Sequence, residues 1–289
     1  MRSLLFTPAN SARKIDKALS CGADAVVLDL EDSIAPQAKA DARRGARDAL
    51  SAALRPPSDG PRLIVRVNGL DSPEIEADLD AVVEFAPFAI MLPKARGGSD
   101  AQHLSVKLAV REAQCGLPDG SIGILPIATE SADALFGLSS YRKSTPRLSA
   151  LCWSAEDLTA NLGALTSRLP DGAWTPPFAL ARNLALFAAA SAGVPAIDAA
   201  FIDFRDTQTL RRECEQARRD GFSAKLAIHP DQVAIINDAF TPSPNELARA
   251  RRIVEAFAAA PQTGALTLDG AMIDAAHLAW ANRMLGRMR

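Results

Sequence analysis

The chain has 289 residues, 48% of them hydrophobic and 23% charged, the make-up of a soluble protein with a sizeable core. Its 32 basic and 34 acidic residues leave a formal net charge of -2, which argues against a general binder of nucleic acid or other polyanions. The four cysteines, Cys21, Cys115, Cys152 and Cys214, form neither a C-x-x-C pair nor a zinc spacing, and reduced thiols are expected. No apolar stretch reaches the length of a membrane span. The apolar part of the N-terminal MRSLLFTPANS is too short for a signal peptide, so a cytoplasmic protein is expected.

Short apolar runs recur along the chain, each stopping at a charged or hydrogen-bonding residue. RSLLFTPAN is the first strand, and a helix over residues 11–20 follows the candidate cap Asn10. ADAVVLDLED is the second, followed by a helix over residues 37–54 that ends at the breaker Arg55-Pro56-Pro57. RLIVRVNG precedes a helix over 73–85, with Ile75, Leu79, Val82 and Val83 on one face. FAIMLPKAR precedes a helix over 101–115, and GILPIATES one over 131–138. LSALCWSAED is the sixth run, followed by an irregular loop, RLPDGAWTPP, and a helix over 180–192. AAFIDFRD and KLAIHPDQ are the seventh and eighth, separated by a helix over 207–220. Alternating buried strands and helices imply a parallel sheet with helices outside. Eight units favour an α/β fold of the closed (β/α)8 barrel type over an open doubly wound sheet, and no phosphate-binding glycine signature supports the open fold. After a helix over 230–239, TPSPNE caps another running to about residue 260. PQTGALTLDG breaks the chain before a last helix over 271–288. The expected organisation is a catalytic barrel over residues 1–240 and a C-terminal helical extension over 241–289, packed on the barrel or on a neighbouring subunit.

A barrel of this kind collects its chemistry at the carboxyl ends of its strands. Glu130 and Asp157 follow adjacent strands five and six. Together they offer two hard oxygen ligands, which suit Mg²⁺ with its retained waters. Each alone could equally be a helix N-terminal carboxylate. Glu31 and Asp32 end strand two and could hold metal-bound waters or basic residues. Arg66 sits inside an apolar strand. It can meet a ligand carboxylate or carbonyl in bidentate fashion, or form a buried ion pair with Glu31 or Asp32. Asn68 could add a hydrogen bond, and Lys94 is either a further site cation or a solvated strand end. Arg13 and Lys17 share a helix face near its N-terminus, which suits phosphate or is a solvated basic face. His229 is best read as a strand cap.

RSLLFTPANSARKIDKAL, GADAVVLDLEDSI, VRVNGLDSP, MLPKA, ATES, SAEDL and GFSAKLAIHPDQV follow one another over nearly the whole chain. As an ordered set they resemble the citrate lyase β-subunit-like family of the HpcH/HpaI aldolase group. The resemblance implies a trimeric or hexameric (β/α)8 barrel that handles acyl-CoA thioesters and 2-oxoacids with Mg²⁺. It places the metal on Glu130 and Asp157, the substrate carbonyl on Arg66, and CoA or substrate on Phe6, Arg13 and Lys17. The segment GAMIDAAH matches one that enters a neighbouring subunit's site, which makes Asp274 the implied acid–base residue; the alternative is a plain helix-start aspartate. Two features depart from the group: PIATES is one residue longer than the usual run before the acid, and Asp32 stands where simple pyruvate aldolases carry histidine. The expected reaction is cleavage of a citramalyl-CoA or malyl-CoA type thioester to acetyl-CoA and a 2-oxoacid. Thioester hydrolysis and a β-subunit role on a carrier-protein thioester are the alternatives.

Overall fold

The computed structural model describes residues 1–54 and 60–286, so the Arg55-Pro56-Pro57 breaker and the last residues of the final predicted helix lie outside the described residues. The chain divides into two compact units, Met1–Phe240 and Thr241–Arg289. The first is a parallel eight-stranded barrel. Its strands are β1 (Ser3–Pro8), β2 (Ala25–Asp29), β3 (Arg62–Arg66), β4 (Ala89–Leu92), β5 (Gly123–Pro126), β6 (Leu151–Cys152), β7 (Ala196–Asp198) and β8 (Ala224–Ala227). The first six fall within the first six apolar runs and β8 begins one residue before the eighth, but β7 ends at Asp198, just before the run AAFIDFRD that was read as the seventh strand. They pair in the order β5-β4-β3-β2-β1-β8-β7-β6. Two isolated parallel bridges, Ile124 to Leu148 and Ile127 to Cys152, close the circle between β5 and β6.

The helices outside the barrel are α1 (Ala12–Ser20), α2 (Lys39–Ala53), α3 (Ile75–Val82), α4 (Gly98–Cys115), α5 (Ala132–Gly137), α6 (Glu156–Leu162), α7 (Pro176–Ala192), α8 (Thr207–Asp220) and α9 (Pro230–Phe240). Short α6 has no counterpart among the predicted helices, because seven residues carry too little periodicity to read. No helix among the described residues is long and apolar enough to cross a membrane.

The strand period of two sorts side chains into two layers. Leu4, Ala25, Val27, Ile64, Met91, Leu125, Cys152, Ile197 and Leu226 fill the barrel interior. Their neighbours Leu5, Val26, Leu28, Val65 and Ile90 face outward and form the larger core with the helices. Close packing fixes the β1–α1 connection. A β-carbon on Gly45 of α2 would lie 1.9 Å from the Ala9 carbonyl oxygen, so only glycine lets the helix approach this loop.

The outer layer also buries charge. Asp198 and Lys225, both buried, point outward from β7 and β8, and Lys225 Nζ donates to Asp198 at 2.8 Å. Trp153 Nε1 (2.7 Å) and Arg182 Nε (3.1 Å) donate to the other Asp198 oxygen. Burial alone would raise the Asp198 carboxyl, but Lys225 and Arg182 hold it below its ordinary value.

In the second unit, α10 (Pro244–Ala259) opens with a Ser243–Glu246 capping box. The predicted helix over 271–288 begins late. Residues Ala271–Asp274 form β10, antiparallel to β9 (Ala265–Leu268), and α11 (Ala275–Gly286) follows. Asp269 and Gly270, at φ 53° and 77°, make the two-residue turn between the strands. Asp-Gly in that conformation is the favoured hairpin connection, and it overrides the helical periodicity of the segment. Ala250, Ile253, Ile273, Ala281 and Met284 form this unit's own small core.

Two substitutions test these packing arguments by urea denaturation. Lys225→Met strands Asp198 beside fewer cations and is expected to destabilise the barrel by about 3 kcal/mol, with part of the loss recovered in the Asp198→Asn, Lys225→Met double variant. Gly45→Ala is expected to cost about 1–3 kcal/mol, because neither backbone can yield easily.

Candidate active site

The interior parity that places Leu4, Val27 and Ile64 in the barrel continues upward to Phe6, Asp29 and Arg66. In the sheet register Asp29 is directly opposite Arg66. Arg66 Nε and Nη2 each donate to an Asp29 oxygen at 2.7 Å. Asp29 also accepts the backbone N–H groups of Glu31 (3.0 Å) and Ser33 (3.2 Å). Burial would raise the Asp29 carboxyl, yet Arg66 and these donors hold it below its usual value. Burial likewise opposes the Arg66 charge, and the neighbouring acids more than offset it. The Phe6 ring lies 4.8 Å from the guanidinium carbon, a cation–π contact from β1, across the intervening β2. Arg66 Nη1 faces Glu31 Oε2 at 3.2 Å. Of the guanidinium nitrogens, it is the one not hydrogen-bonded to Asp29. The buried ion pair with Glu31 that the sequence offers is present, but the bidentate partner of Arg66 is Asp29. The missed signal was the alternation Ala25, Val27, Asp29, which points the aspartate inward with its apolar predecessors.

Lys94 links the two halves of the mouth. It holds φ at 55°, in the left-handed region that non-glycine residues rarely occupy. Its ammonium pairs with Glu31 and, at 3.2 Å, with Asp32. Its backbone N–H donates to Glu130. Lys94 is therefore ion-paired within the acid cluster, although about half of its side chain, 48%, remains exposed. Burial keeps the Glu31 carboxyl above its ordinary value despite Arg66 and Lys94.

Glu130 lies just before α5, whose N-cap Ser131 accepts the Ala134 N–H. Asp157 lies in the first turn of α6. Asp157 lies close enough for its charge to act on the Glu130 carboxyl. Burial, with the added charge of Asp157 and Glu31, pushes the Glu130 carboxyl well above its ordinary value, and the Lys94 N–H only partly opposes this. The additional residue in PIATES therefore does not carry Glu130 away from Asp157. Two crowded carboxyls form an all-oxygen donor set whose repulsion a hard divalent cation would relieve, and they fit Mg²⁺. Among the described residues no group of three or more His, Cys, Asp or Glu side chains is placed to hold an ion. Water and ligand oxygens would have to complete any coordination sphere.

A supporting network that sequence reading did not find sits behind these residues. Lys39 Nζ donates to the Leu30 and Glu31 carbonyls (2.6 and 2.8 Å) and to Asn68 Oδ1 (2.8 Å). Asn68 Nδ2 donates to Leu30 O and to Asp78, which Arg43 in turn binds. Asn68 is consumed by the scaffold and is not available to a ligand as expected. A cavity of about 410 Å³ opens beside this network, lined by Glu31, Asp32, Lys39, Asn68, Lys94 and Arg96 among others.

Arg13 and Lys17 are exposed on α1 and form no ion pair with described residues. Ser11 makes no side-chain cap, so the first N–H groups of α1 are not met by its hydroxyl. The structure does not link Arg13 or Lys17 to the Arg66 cluster by any hydrogen bond. Gln232 Oε1 accepts the backbone N–H groups of Ile228 and His229, so the strand cap expected of His229 is made by Gln232, while the His229 ring accepts the Asp231 N–H and stacks on Phe204. Asp274 lies in the second unit, at the end of β10.

Comparison with known proteins follows the same lines. A family model described as HpcH/HpaI aldolase/citrate lyase matches residues 2–230. A second, described as a C–C bond lyase of the TIM-barrel fold, matches residues 183–289. The citrate lyase subunit beta-like protein of Mycobacterium tuberculosis is 32% identical over 283 residues, covering 98% of this chain and 94% of its own. The (3S)-malyl-CoA thioesterase of Cereibacter sphaeroides is 33% identical over 291 residues, covering 99% and 94%. The crystal structure of M. tuberculosis CitE in complex with magnesium, acetoacetate and coenzyme A superposes with a TM-score of 0.76 at 31% identity, covering 99% of this chain and 97% of that one. The barrel, the ordered motifs and these relatives agree: the chain belongs to the HpcH/HpaI aldolase/citrate lyase family.

Proposed function

We propose that the protein is a Mg²⁺-dependent carbon–carbon lyase that cleaves a citramalyl-CoA or malyl-CoA type thioester to acetyl-CoA and a 2-oxoacid. The observation that carries this reading is the chain of contacts along one rim of the barrel: Arg66, oriented by Asp29, meets Glu31, Glu31 pairs with Lys94, and the Lys94 N–H donates to Glu130 beside Asp157. The magnesium, acetoacetate and coenzyme A bound by the M. tuberculosis relative support it.

Glu130 and Asp157 would hold the ion, which supplies Lewis acidity and a template for the substrate's hydroxyl and carboxylate. Arg66 Nη1 would donate to the thioester oxygen, where negative charge grows as the carbon–carbon bond breaks. Because Asp29 fixes the guanidinium beforehand, little reorganisation accompanies that charge development. Lys94 and Glu31 keep the adjoining wall rigid and close to neutral. Phe6 holds the guanidinium from below, and Arg13 and Lys17 offer cations to the phosphates of CoA. Asp274 of a neighbouring copy, in a homotrimer or hexamer, would exchange the proton at the acetyl carbon. In this reading residues 1–240 form the catalytic barrel, and 241–289 pack on the neighbour.

A second reading, thioester hydrolysis, has its own support in the relative named a (3S)-malyl-CoA thioesterase. A third, action on a carrier-protein thioester, is supported by the citrate lyase subunit beta-like relative. Product analysis with the purified chain and free CoA thioesters separates all three. Acetyl-CoA with a 2-oxoacid marks lysis, free CoA with a hydroxyacid marks hydrolysis, and inertness toward free thioesters marks a carrier requirement.

On the lyase reading, Arg66→Ala and Asp157→Asn should each lower kcat by about 10²–10³-fold. Near wild-type turnover by either would sink the assignment. Chelation should abolish activity and added Mg²⁺ restore it, while an EDTA-insensitive rate would remove the metal from the mechanism.

A further inference from the structure

The second unit carries a side-chain arrangement that the proposed reaction has not used. Asp274 Oδ1 accepts the backbone N–H groups of Ala276 (3.0 Å) and His277 (3.4 Å), at the start of α11. His277 Nδ1 lies 2.8 Å from the same oxygen and 3.2 Å from the backbone nitrogen of Asp274. This is the geometry of a capping box, with an imidazole in the place that glutamate or glutamine usually takes. Such a substitution has a chemical consequence. In neutral imidazole Nδ1 carries either a proton or a free lone pair. It can donate to Oδ1 or accept from the Asp274 N–H, but not both. The two arrangements differ only in where a proton rests. Oδ1 is thus saturated, whereas Oδ2 has no hydrogen-bond partner among the described residues, on a side chain that is 44% exposed. His277 also holds the Asp274 carboxyl below its ordinary value through this hydrogen bond.

We propose that His277 is the positioning residue for Asp274: it locks Oδ1 to the start of α11, leaves Oδ2 as the reacting oxygen, and stabilises the carboxylate that remains after proton transfer. This rests on the reading that Asp274 exchanges the proton at the acetyl carbon. In the cleavage direction the pair of electrons from the broken carbon–carbon bond enters the thioester enolate. A proton taken up from solvent on Oδ2, the ionised carboxylate being the resting form, passes to the methylene carbon, which becomes the methyl group. The substrate hydroxyl releases its proton to solvent as the 2-oxoacid carbonyl forms, and Asp274 returns to the carboxylate. Proton count and charge therefore close over the cycle. In the reverse direction Oδ2 removes a methyl proton, and the same Nδ1 contact fixes which oxygen does so.

The full-length protein with Mg²⁺ and acetyl-CoA in D₂O tests this directly. Deuterium entry into the acetyl methyl group, followed by mass spectrometry, reports proton transfer without knowledge of the oxoacid. His277→Ala is expected to slow exchange and citramalyl-CoA cleavage by about tenfold to a hundredfold, as loss of an orienting partner does, with the acetyl-CoA Kd and KM within about twofold. His277→Asn, whose amide can reproduce the Nδ1 contact, should recover most of that loss. The ¹⁵N resonance of His277 Nδ1 should also move in Asp274→Asn. If His277→Ala exchanges at the wild-type rate, or loses only melting temperature, His277 is a helix cap and the inference fails. If Asp274→Asn itself exchanges and cleaves normally, the catalytic reading of Asp274 fails and takes the inference with it.

Discussion

The mouth of the barrel is organised around one buried ion pair. Asp29 and Arg66 are cross-strand neighbours at the ends of β2 and β3, and neither could remain charged there without the other. Their bidentate contact fixes the guanidinium plane, which also meets the Phe6 ring and, through Nη1, Glu31. Glu31 in turn pairs with Lys94, and the Lys94 backbone meets Glu130. A chain of contacts thus runs from strand two to strand five. The geometry of the carboxyl pair depends on an ion pair across two other strands.

The Lys39–Asn68–Asp78–Arg43 network gives this chain of contacts its rigidity. Carbonyls at the end of β2 have no strand partner above them, and the Lys39 ammonium satisfies two of them at once. Charged side chains on α2 therefore act on the site through the backbone that carries it, and Lys39 also lines the adjoining cavity. Removing any one would leave a buried polar group unmatched, which accounts for the presence of so much charge beneath an apolar barrel.

Much of this was legible beforehand because strand ends in a parallel barrel are defined by where apolar runs stop. Seven of the eight runs contain strands, the seventh lying just after β7, and Glu130, Asp157 and Glu31 lie where their runs end. Three things escaped. Asp29 was hidden inside its own run, where only the parity of alternate residues distinguishes it from the outward-facing Leu28. Lys39 and Arg43 look like any basic residues on an amphipathic helix, since their partners lie up to 35 positions away. The hairpin of the second unit was masked by alanines that suit a helix, although Asp269-Gly270 carried the turn signal. Local pattern found the elements; long-range pairing, which assigns the side chains, has no local trace.

The barrel is stitched unevenly. Between β1 and β2 five residue pairs are in register, whereas β5 and β6 meet only through isolated bridges. Glu130 and Asp157 stand on opposite sides of that thin seam. A cation shared between them would act as a clasp on the least-tied joint of the wall. Ligand occupancy and local cohesion would then rise together, so that the seam breathes when the site is empty and tightens when it is filled.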